Sequence, residues 1–330
     1  MKVLITGGAG FIGSHLVKLF DKRLDKFSTV TIADDFSGGN KDNIPLGVHY
    51  YEIDCRDKNK VDEMFKDNGG FDLVYCLAAN AAEGKSHFSP IDITTRNYNS
   101  FLNVLVAGIN HGMKKMVITS SVAVYGSAKP PFSEDTKPEP EDLYGLSKLN
   151  MEKTLDIMSK VYDFKWASAR AHNVYGPSQS MKDPYRNVVT IWMNKILKGE
   201  PYTIYGDGSM KRCYTYVEDL VEGLYNLKDH EGIFNLGADE AYSLKDLSNA
   251  IQNVSGGITP PQYLPARVQE VETAVLLHDK AKKELNYQTR VSLIDGIQNT
   301  WEWAKSKGYQ ELNYTDFEID SPKIPANWRR

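Results

Sequence analysis

Only three cysteines, Cys55, Cys76 and Cys213, occur in the 330 residues, odd in number and far apart. With no C-x-x-C pair and no Cys/His cluster they offer neither a disulfide framework nor a metal site. Buried thiols in a reduced, cytoplasmic compartment are the simpler expectation. Long apolar runs are also missing, since none reaches the ~18 residues needed to span a bilayer. The apolar N-terminus is broken by glycines at 7, 8, 10 and 13, so it reads as a first strand and not as a signal peptide. Charge of one sign is lacking too: 39 basic and 43 acidic residues are well mixed, for a net −4. That balance gives no electrostatic reason to expect nucleic acid or an anionic membrane as partner. A phosphate ligand must therefore be held by local donors. No internal repeat and no long low-complexity segment is present.

What is there fits an ordinary globular protein. The chain is 41% hydrophobic and 25% charged, with a mean hydropathy of −0.44, and is long enough for one large domain or two coupled ones. Strand-like and helix-like patterns alternate from the start. Lys2–Thr6, Thr29–Ala33, 48–53, 71–78 and 116–119 read as strands. Ile12, Leu16, Leu19 and Phe20, then Val61, Met64 and Phe65, then Phe101, Leu102 and Leu105, recur at helical spacing between them. This rhythm calls for a doubly wound parallel α/β sheet of Rossmann type, with ligands at the carboxyl ends of its strands. Gly7, Asp34, Asp54, Ala79 and Ser121 all fall at such ends. From about Asn173 proline, glycine and aromatic residues become frequent, and a smaller C-terminal α/β lobe is expected. The expected division is 1–175 for the Rossmann domain, with 215–240 rejoining it, and 176–330 for the lobe and tail. The tail from Tyr314 reads as an extended segment packed on the surface.

Two motifs carry chemistry. Gly7, Gly10 and Gly13 stand in a G-x-x-G-x-x-G pattern between a strand and a helix. They serve, respectively, a tight turn, close approach to a pyrophosphate, and helix–strand packing. A glycine triplet can also be a plain loop, but here an acid, Asp34, follows 21 positions beyond Gly13. Asp34 can accept both ribose hydroxyls and would repel a 2′-phosphate, and no arginine lies beside it in sequence, which favours NAD over NADP. Asp54 reads equally as an adenine contact or as a strand-end cap. The second motif, Tyr144-Gly-Leu-Ser-Lys148, places a phenol and an ammonium four apart on one helix face. Lys148 and an oxidised nicotinamide would lower the phenol from its ordinary pKa of ~10, making a base that takes a hydroxyl proton as hydride leaves the same carbon. Such a pair is by itself an ordinary exposed helix face, but here Ser120 and Ser121 end the preceding strand and complete a Ser/Tyr/Lys set.

Thr6 to Gly13, Leu77-Ala78-Ala79, Ser120 to Gly126, Tyr144 to Lys148 and Asn173 to Pro177 occur in the order found in extended short-chain dehydrogenases. Over nearly its whole length the chain resembles that family, specifically the NAD-dependent epimerase/dehydratase group and, within it, the UDP-hexose 4-epimerases. The resemblance implies catalytic roles for Ser121, Tyr144 and Lys148. It implies NAD contacts from Gly7, Gly10, Phe11, Ile12, Gly13, Asp34, Asp35, Ser37, Gly38, Asp54, Cys55, Leu77, Ala78, Ala79, Tyr144 and Lys148, with Asn97 also placed there and supporting the active-site helix. For the nucleotide-sugar it implies Ser121, Ala123, Tyr144, Asn173, Asn187, Arg212, Tyr214, Arg267 and Glu270, the two arginines converging on a pyrophosphate. As isolated residues those arginines read as solvated charges. A homodimer formed through the helices around Phe101 and 149–151 is also implied.

Departures from the family pattern narrow the chemistry. His172 replaces the usual aromatic residue before Asn173. Val122 and Ala123 stand where 4,6-dehydratases carry an Asp-Glu pair, so elimination of water lacks its acid and base. Ala274, where a large residue is common, suggests room for an N-acetyl group. The leading expectation is a nucleotide-sugar 4-epimerase acting on UDP-glucose/UDP-galactose or their N-acetylated forms through a transient 4-keto sugar. A decarboxylase or 4-epimerase of UDP-glucuronate, or a 2-epimerase of a CDP-sugar, would keep the intermediate and change its fate. Those acting on a uronate would need a cation facing C6, for which Arg186 and Lys85 are the candidates. A non-catalytic NAD-binding regulator is the remaining alternative, under which the Tyr/Lys pair would be dispensable.

Overall fold

The computed structural model describes residues 1–257, 259–265, 273–325 and 328, with only the backbone described at 273–274. The first half alternates as the hydrophobic pattern requires: β1 (Lys2–Thr6), α1 (Phe11–Arg23), β2 (Thr29–Asp34), β3 (His49–Glu52), α2 (Lys58–Asp67), β4 (Leu73–Cys76), two short helices α3 (Glu83–Ser86) and α4 (Pro90–Thr94), α5 (Ser100–Asn110), β5 (Lys115–Ser121), α6 (Leu143–Ser159) and β6 (Lys165–Ala171). The second half contributes β7 (Val174–Tyr175), α7 (Val188–Lys198), β8 (Thr203–Tyr205), β9 (Lys211–Cys213), β10 (Thr215–Tyr216), α8 (Val217–Asn226), β11 (Gly232–Leu236), β12 (Ala241–Ser243), α9 (Leu244–Ser255), β13 (Gln262–Leu264), β14 (Thr273–Ala274), α10 (Asp279–Leu285) and α11 (Leu293–Lys307).

Seven parallel strands form one sheet in the order β11-β6-β5-β4-β1-β2-β3. The central strands β4 and β5 are buried throughout, as a sheet covered on both faces demands. On one face α1 and α8 pack over Val3, Ile5, Val117 and Phe234; on the other α2, α5 and α6 cover Leu4, Val74, Met116 and Ile118. The chain reverses its winding direction between β1 and β4, and this switch point fixes where a crevice must open. A separate core around Trp192, Tyr202, Ile251 and Trp301 holds α7, α9 and α11 together as a second layer above the strand ends. Phe101 and Met151 themselves are buried in the sheet core, so the outer faces of α5 and α6 are carried by other residues; Leu146 and Ile157 are the exposed large apolar side chains on α6.

Helix α6 is fastened to the sheet by charge as well as by packing. The Glu152 carboxylate accepts two hydrogen bonds from Arg170 on β6, at 3.0 and 2.6 Å, and one from Ser168 at 3.1 Å. Both charged side chains are 2% exposed. The Arg170 guanidinium lies 4.8 Å from the Tyr125 ring centroid, and the Tyr125 hydroxyl donates to Asn235 on β11 at 2.7 Å. Removing one partner strands a charge in the interior, which costs far more than removing both. Glu152→Ala is therefore expected to lower unfolding free energy by about 3–5 kcal/mol, with Glu152→Leu/Arg170→Met recovering much of the loss. Chemical denaturation of the three proteins checks this, and a loss below about 1 kcal/mol in the single variant would refute it.

Candidate active site

Because every strand of the large sheet is parallel, all their C-terminal ends reach one edge, where a cleft of 3230 Å³ opens beneath the second layer. A single small-molecule pocket occupies ~300–1,000 Å³, so this cleft has room for two nucleotide-sized ligands. The expected site residues within the described part of the chain line it, with one exception. Asn97 is fully buried below the floor, where its side chain accepts from the Asn80 amide at 2.7 Å and donates to Ser147 at 3.4 Å. It braces α6 from beneath and does not face the cleft. Arg267, Glu270 and the side chain of Ala274 lie outside the described residues.

One end of the cleft is built for a dinucleotide. Gly7 has φ +69°, and a Cβ there would stand 2.8 Å from the Ala78 nitrogen, so only glycine makes this turn. Helix α1 begins at Gly10 with no side-chain cap, which leaves its first amides and positive dipole end to a ligand. Asp34 ends β2 and is 6% exposed. Its two oxygens accept from Ala9 N at 3.0 Å and Phe36 N at 2.9 Å, so it shapes the glycine turn and keeps its remaining lone pairs for a donor from the cleft. Burial pushes its carboxyl upward against those amides. Two contacts add to the sequence reading here. An arginine does reach this end: Arg96, in the π-helical segment Thr95–Asn99 that joins α4 to α5, lies 3.4 Å from Asp35 and 3.3 Å from the Ser37 hydroxyl. Asp54 is forked by its neighbour Arg56 at 2.5–3.0 Å, so its carboxylate is already engaged as a strand-end cap.

The middle of the cleft carries the chemical set. Asp142 caps α6, accepting from Gly145 N at 2.7 Å, and this sets Tyr144 in the first turn. Ser121 ends β5, accepts from Ala123 N at 3.1 Å and acts on the Tyr144 phenol to favour its ionised form. Lys148 is 2% exposed, donates to Thr119 O at 2.7 Å and lies 5.8 Å from the Tyr144 ring centroid. Without a ligand the phenol is pushed above its ordinary range, by burial first and then by the Glu83 carboxylate, against Ser121 and Arg186. The expected lowering by Lys148 is thus outweighed, because burial disfavours the phenolate and the ammonium is turned to a carbonyl. The same burial brings Lys148 down to about 8.

At the far end Arg212, on β9, stands where its charge acts on His172, Tyr214 and Glu83. The Tyr214 hydroxyl and His172 Nδ1 are buried without a hydrogen-bond partner among the described residues. Burial and Arg212 bring His172 down to about 3, so it faces the cleft as a neutral imidazole. Orphaned polar atoms beside an arginine suit a polar, anionic ligand. Asn187, at φ +70°, donates to Val174 O at 2.9 Å at the start of α7.

Several cleft residues escaped the sequence reading. Glu83 lines it beside Tyr144, and the tail does more than cover the surface. Glu318 accepts from the amides of Ile91 and Asp92, both at 2.7 Å, while Tyr185 exchanges hydrogen bonds with Thr315 at 3.0 and 2.8 Å. Phe88, Tyr185, Phe317 and Trp328 form one aromatic cluster behind this wall. The only sequence signal for Glu83 was a charged pair, Glu83 and Lys85, in an otherwise small-residue stretch after the fourth strand.

The sequence profile of the NAD dependent epimerase/dehydratase family matches residues 3–237. A UDP-glucose 4-epimerase from Thermotoga maritima, solved with UDP-glucose, superposes with a TM-score of 0.86 at 30% identity, covering 93% of this chain and 99% of that one. The Thermus thermophilus UDP-glucose 4-epimerase, solved with NAD, gives 0.83 at 32% identity, covering 92% and 98%. A UDP-N-acetyl-alpha-D-glucosaminuronate decarboxylase from Bacillus cytotoxicus is 30% identical, covering 92% of this chain and 98% of its own.

The buried Lys148 makes a thermodynamic prediction. Its folded-state pKa, about 8, lies below the ordinary value of 10.5, so between these the unfolded chain binds more protons and native stability rises with pH. Below pH 8 the full penalty of the buried ammonium is present. Lys148→Met is expected to melt a few degrees higher than the native protein at pH 7, with the gain shrinking as pH climbs toward 10. Calorimetric melting across that range checks it; a lower Tm at pH 7 contradicts it.

Proposed function

The chain belongs to the NAD dependent epimerase/dehydratase family, and on that premise we propose that it is a nucleotide-sugar 4-epimerase, with a UDP-hexose as substrate. The observation that carries this reading is the Ser121–Tyr144–Lys148 set at the centre of a cleft with dinucleotide features at one end and Arg212 at the other. Residues 1–175 with 215–240 are assigned to the cofactor side, and the remainder mainly to the nucleotide-sugar side.

When bound along Asp34 and the glycine turn, NAD supplies the acceptor and later the donor of a hydride. The protein's own residues then have distinct tasks. Ser121 holds the C4 hydroxyl against Tyr144. Tyr144 takes its proton, a step assisted by any cationic charge that offsets the burial of the phenol. Lys148, held by Thr119 O, fixes the ring and supplies positive charge from below. Arg212, with Asn187 and Tyr214, holds the diphosphate while the 4-keto hexose turns, and the size of the cleft leaves room for that motion. Hydride return to the opposite face, with the proton given back by Tyr144, completes inversion.

Elimination of water is disfavoured because Val122 and Ala123 follow Ser121 with no carboxyl group between them. The decarboxylase reading draws support from the relative of that activity and from Lys85 and Arg186 in the cleft. Both cations are already engaged, however: Arg186 Nε with Asp183 at 2.7 Å, and Lys85 with Asp92 at 3.8 Å. The assembly is read as a homodimer packing on the outer faces of α5 and α6, where Val106, Leu146 and Ile157 are exposed; light scattering at the mass of one 37.2 kDa chain would refute it.

Incubated with NAD and UDP-glucose, the protein is expected to give a UDP-glucose/UDP-galactose mixture in proton NMR spectra, and the N-acetyl pair likewise. Tyr144→Phe should lose about 10²–10⁴-fold in kcat, the range of a general base, with its melting profile retained. Carbon dioxide and a UDP-pentose from UDP-glucuronate, with hexoses untouched, would replace this reading by decarboxylation.

A further inference from the structure

Glu83 opens the short helix α3, and its position beside Tyr144 is fixed from three directions. Ser86 Oγ, one turn on, accepts from Leu143 N at 3.2 Å and ties α3 to the start of α6. Ser86 also donates to the Glu83 carbonyl at 2.6 Å. Behind α3, Gly84 lies so close to Trp328 that a Cβ there would stand 2.6 Å from the indole. The helix is wedged between the catalytic helix and the tail, and its acidic side chain is exposed to the cleft.

The charges around it are unequal in their commitments. Lys85 is engaged with Asp92 and the Tyr185 ring, and Arg186 with Asp183. No hydrogen bond or ion pair engages the Glu83 carboxyl among the described residues. Asp142 and Tyr144 face it from α6 and Arg212 from β9, while His87, just beyond α3, acts on Asp142. Burial and Asp142 push the carboxyl up to about 7 against the pull of Arg212. Open to the cleft and engaged by no neighbouring side chain, the carboxyl is free to accept from a donor on a bound ligand.

We propose that Glu83 is a specificity-determining residue of this site, accepting a hydrogen bond from a donor on the sugar next to C4 and rejecting sugars that place a carboxylate there. The inference rests on the nucleotide-sugar reading above and deepens it: the substrate class is a neutral hexose or N-acetylhexosamine, not a uronate. An ionised Glu83 is the stronger acceptor. Hexose binding therefore tightens, and uronate binding weakens, as pH rises through 7.

The test uses the full-length, NAD-loaded protein in native, Glu83→Gln and Glu83→Ala forms. Binding of UDP, UDP-hexose and UDP-glucuronate is titrated calorimetrically from pH 6 to 8.5, beside turnover. The native protein is expected to bind hexose more tightly than uronate. Glu83→Ala should weaken hexose binding about tenfold without changing the Kd of UDP. Glu83→Gln, which keeps the shape, should move the hexose-to-uronate ratio at least about tenfold toward the uronate and flatten its pH dependence. A merely structural role would move both sugars alike, and an unchanged ratio in Glu83→Gln, or a native preference for the uronate, overturns the proposal. Hexose selectivity through Glu83 without epimerisation would overturn the 4-epimerase reading alone. Epimerisation with selectivity untouched in Glu83→Gln would overturn this proposal alone.

Discussion

The attachment of α6 to the strands beneath it is the constraint from which the site follows. Tyr144, Lys148 and Glu152 occur at intervals of four, so one face of the helix turns three polar side chains toward the sheet. Apolar packing alone could let such a helix slide or rotate. Here the ammonium is held at the Thr119 carbonyl and the carboxylate is forked by Arg170, two directional contacts that fix both the height and the rotation of the helix. Tyr144 is then set in front of Ser121 as a geometric consequence. The same network runs on through Tyr125 to Asn235, whose side chain also donates to Phe132 O at 3.2 Å and Leu277 O at 3.0 Å. The catalytic helix, the last strand of the sheet and the segment before α10 are thereby one connected unit.

The electrostatics of the cleft are local in origin. A chain of net charge −4 has no general attraction for a nucleotide. Uncapped amides at the start of α1 lie at one end of the cleft, and Arg212 with orphaned hydroxyl and imidazole atoms lies at the other. Between them the burial that shields the reacting carbon from water also opposes ionisation of both Tyr144 and Lys148. Positive charge brought into the cleft favours the phenolate and disfavours the ammonium, so it acts on these two groups in opposite directions.

The tail illustrates how a wall can be assembled from distant pieces. Glu318 caps α4 across 227 residues of chain, and Tyr185 meets Thr315 across 130. Together with Trp328 behind Gly84 these contacts close the sugar end of the cleft. They give α3, only four residues long and with little stability of its own, a fixed place beside the catalytic helix.

By itself the sequence determined the parallel sheet, because runs of buried β-branched residues alternating with helical periodicity admit few other arrangements. It made the glycine turn legible, since Gly7 and Asp34 act through backbone geometry within one β-α-β unit. The register of Tyr144 and Lys148 was likewise legible, being local to one helix. What tertiary structure decided depends on separation along the chain. The approach of Arg96 to Asp35, the burial of Asn97, Phe101 and Met151, and the tail's place in the cleft carry no local signature. The direction of the shift at Tyr144 was decided there too, because desolvation is set by everything packed around a group and not by its neighbours in sequence. Glu83 belongs with these: a carboxylate in a short polar stretch is ordinary until the fold sets it at the cleft beside a phenol.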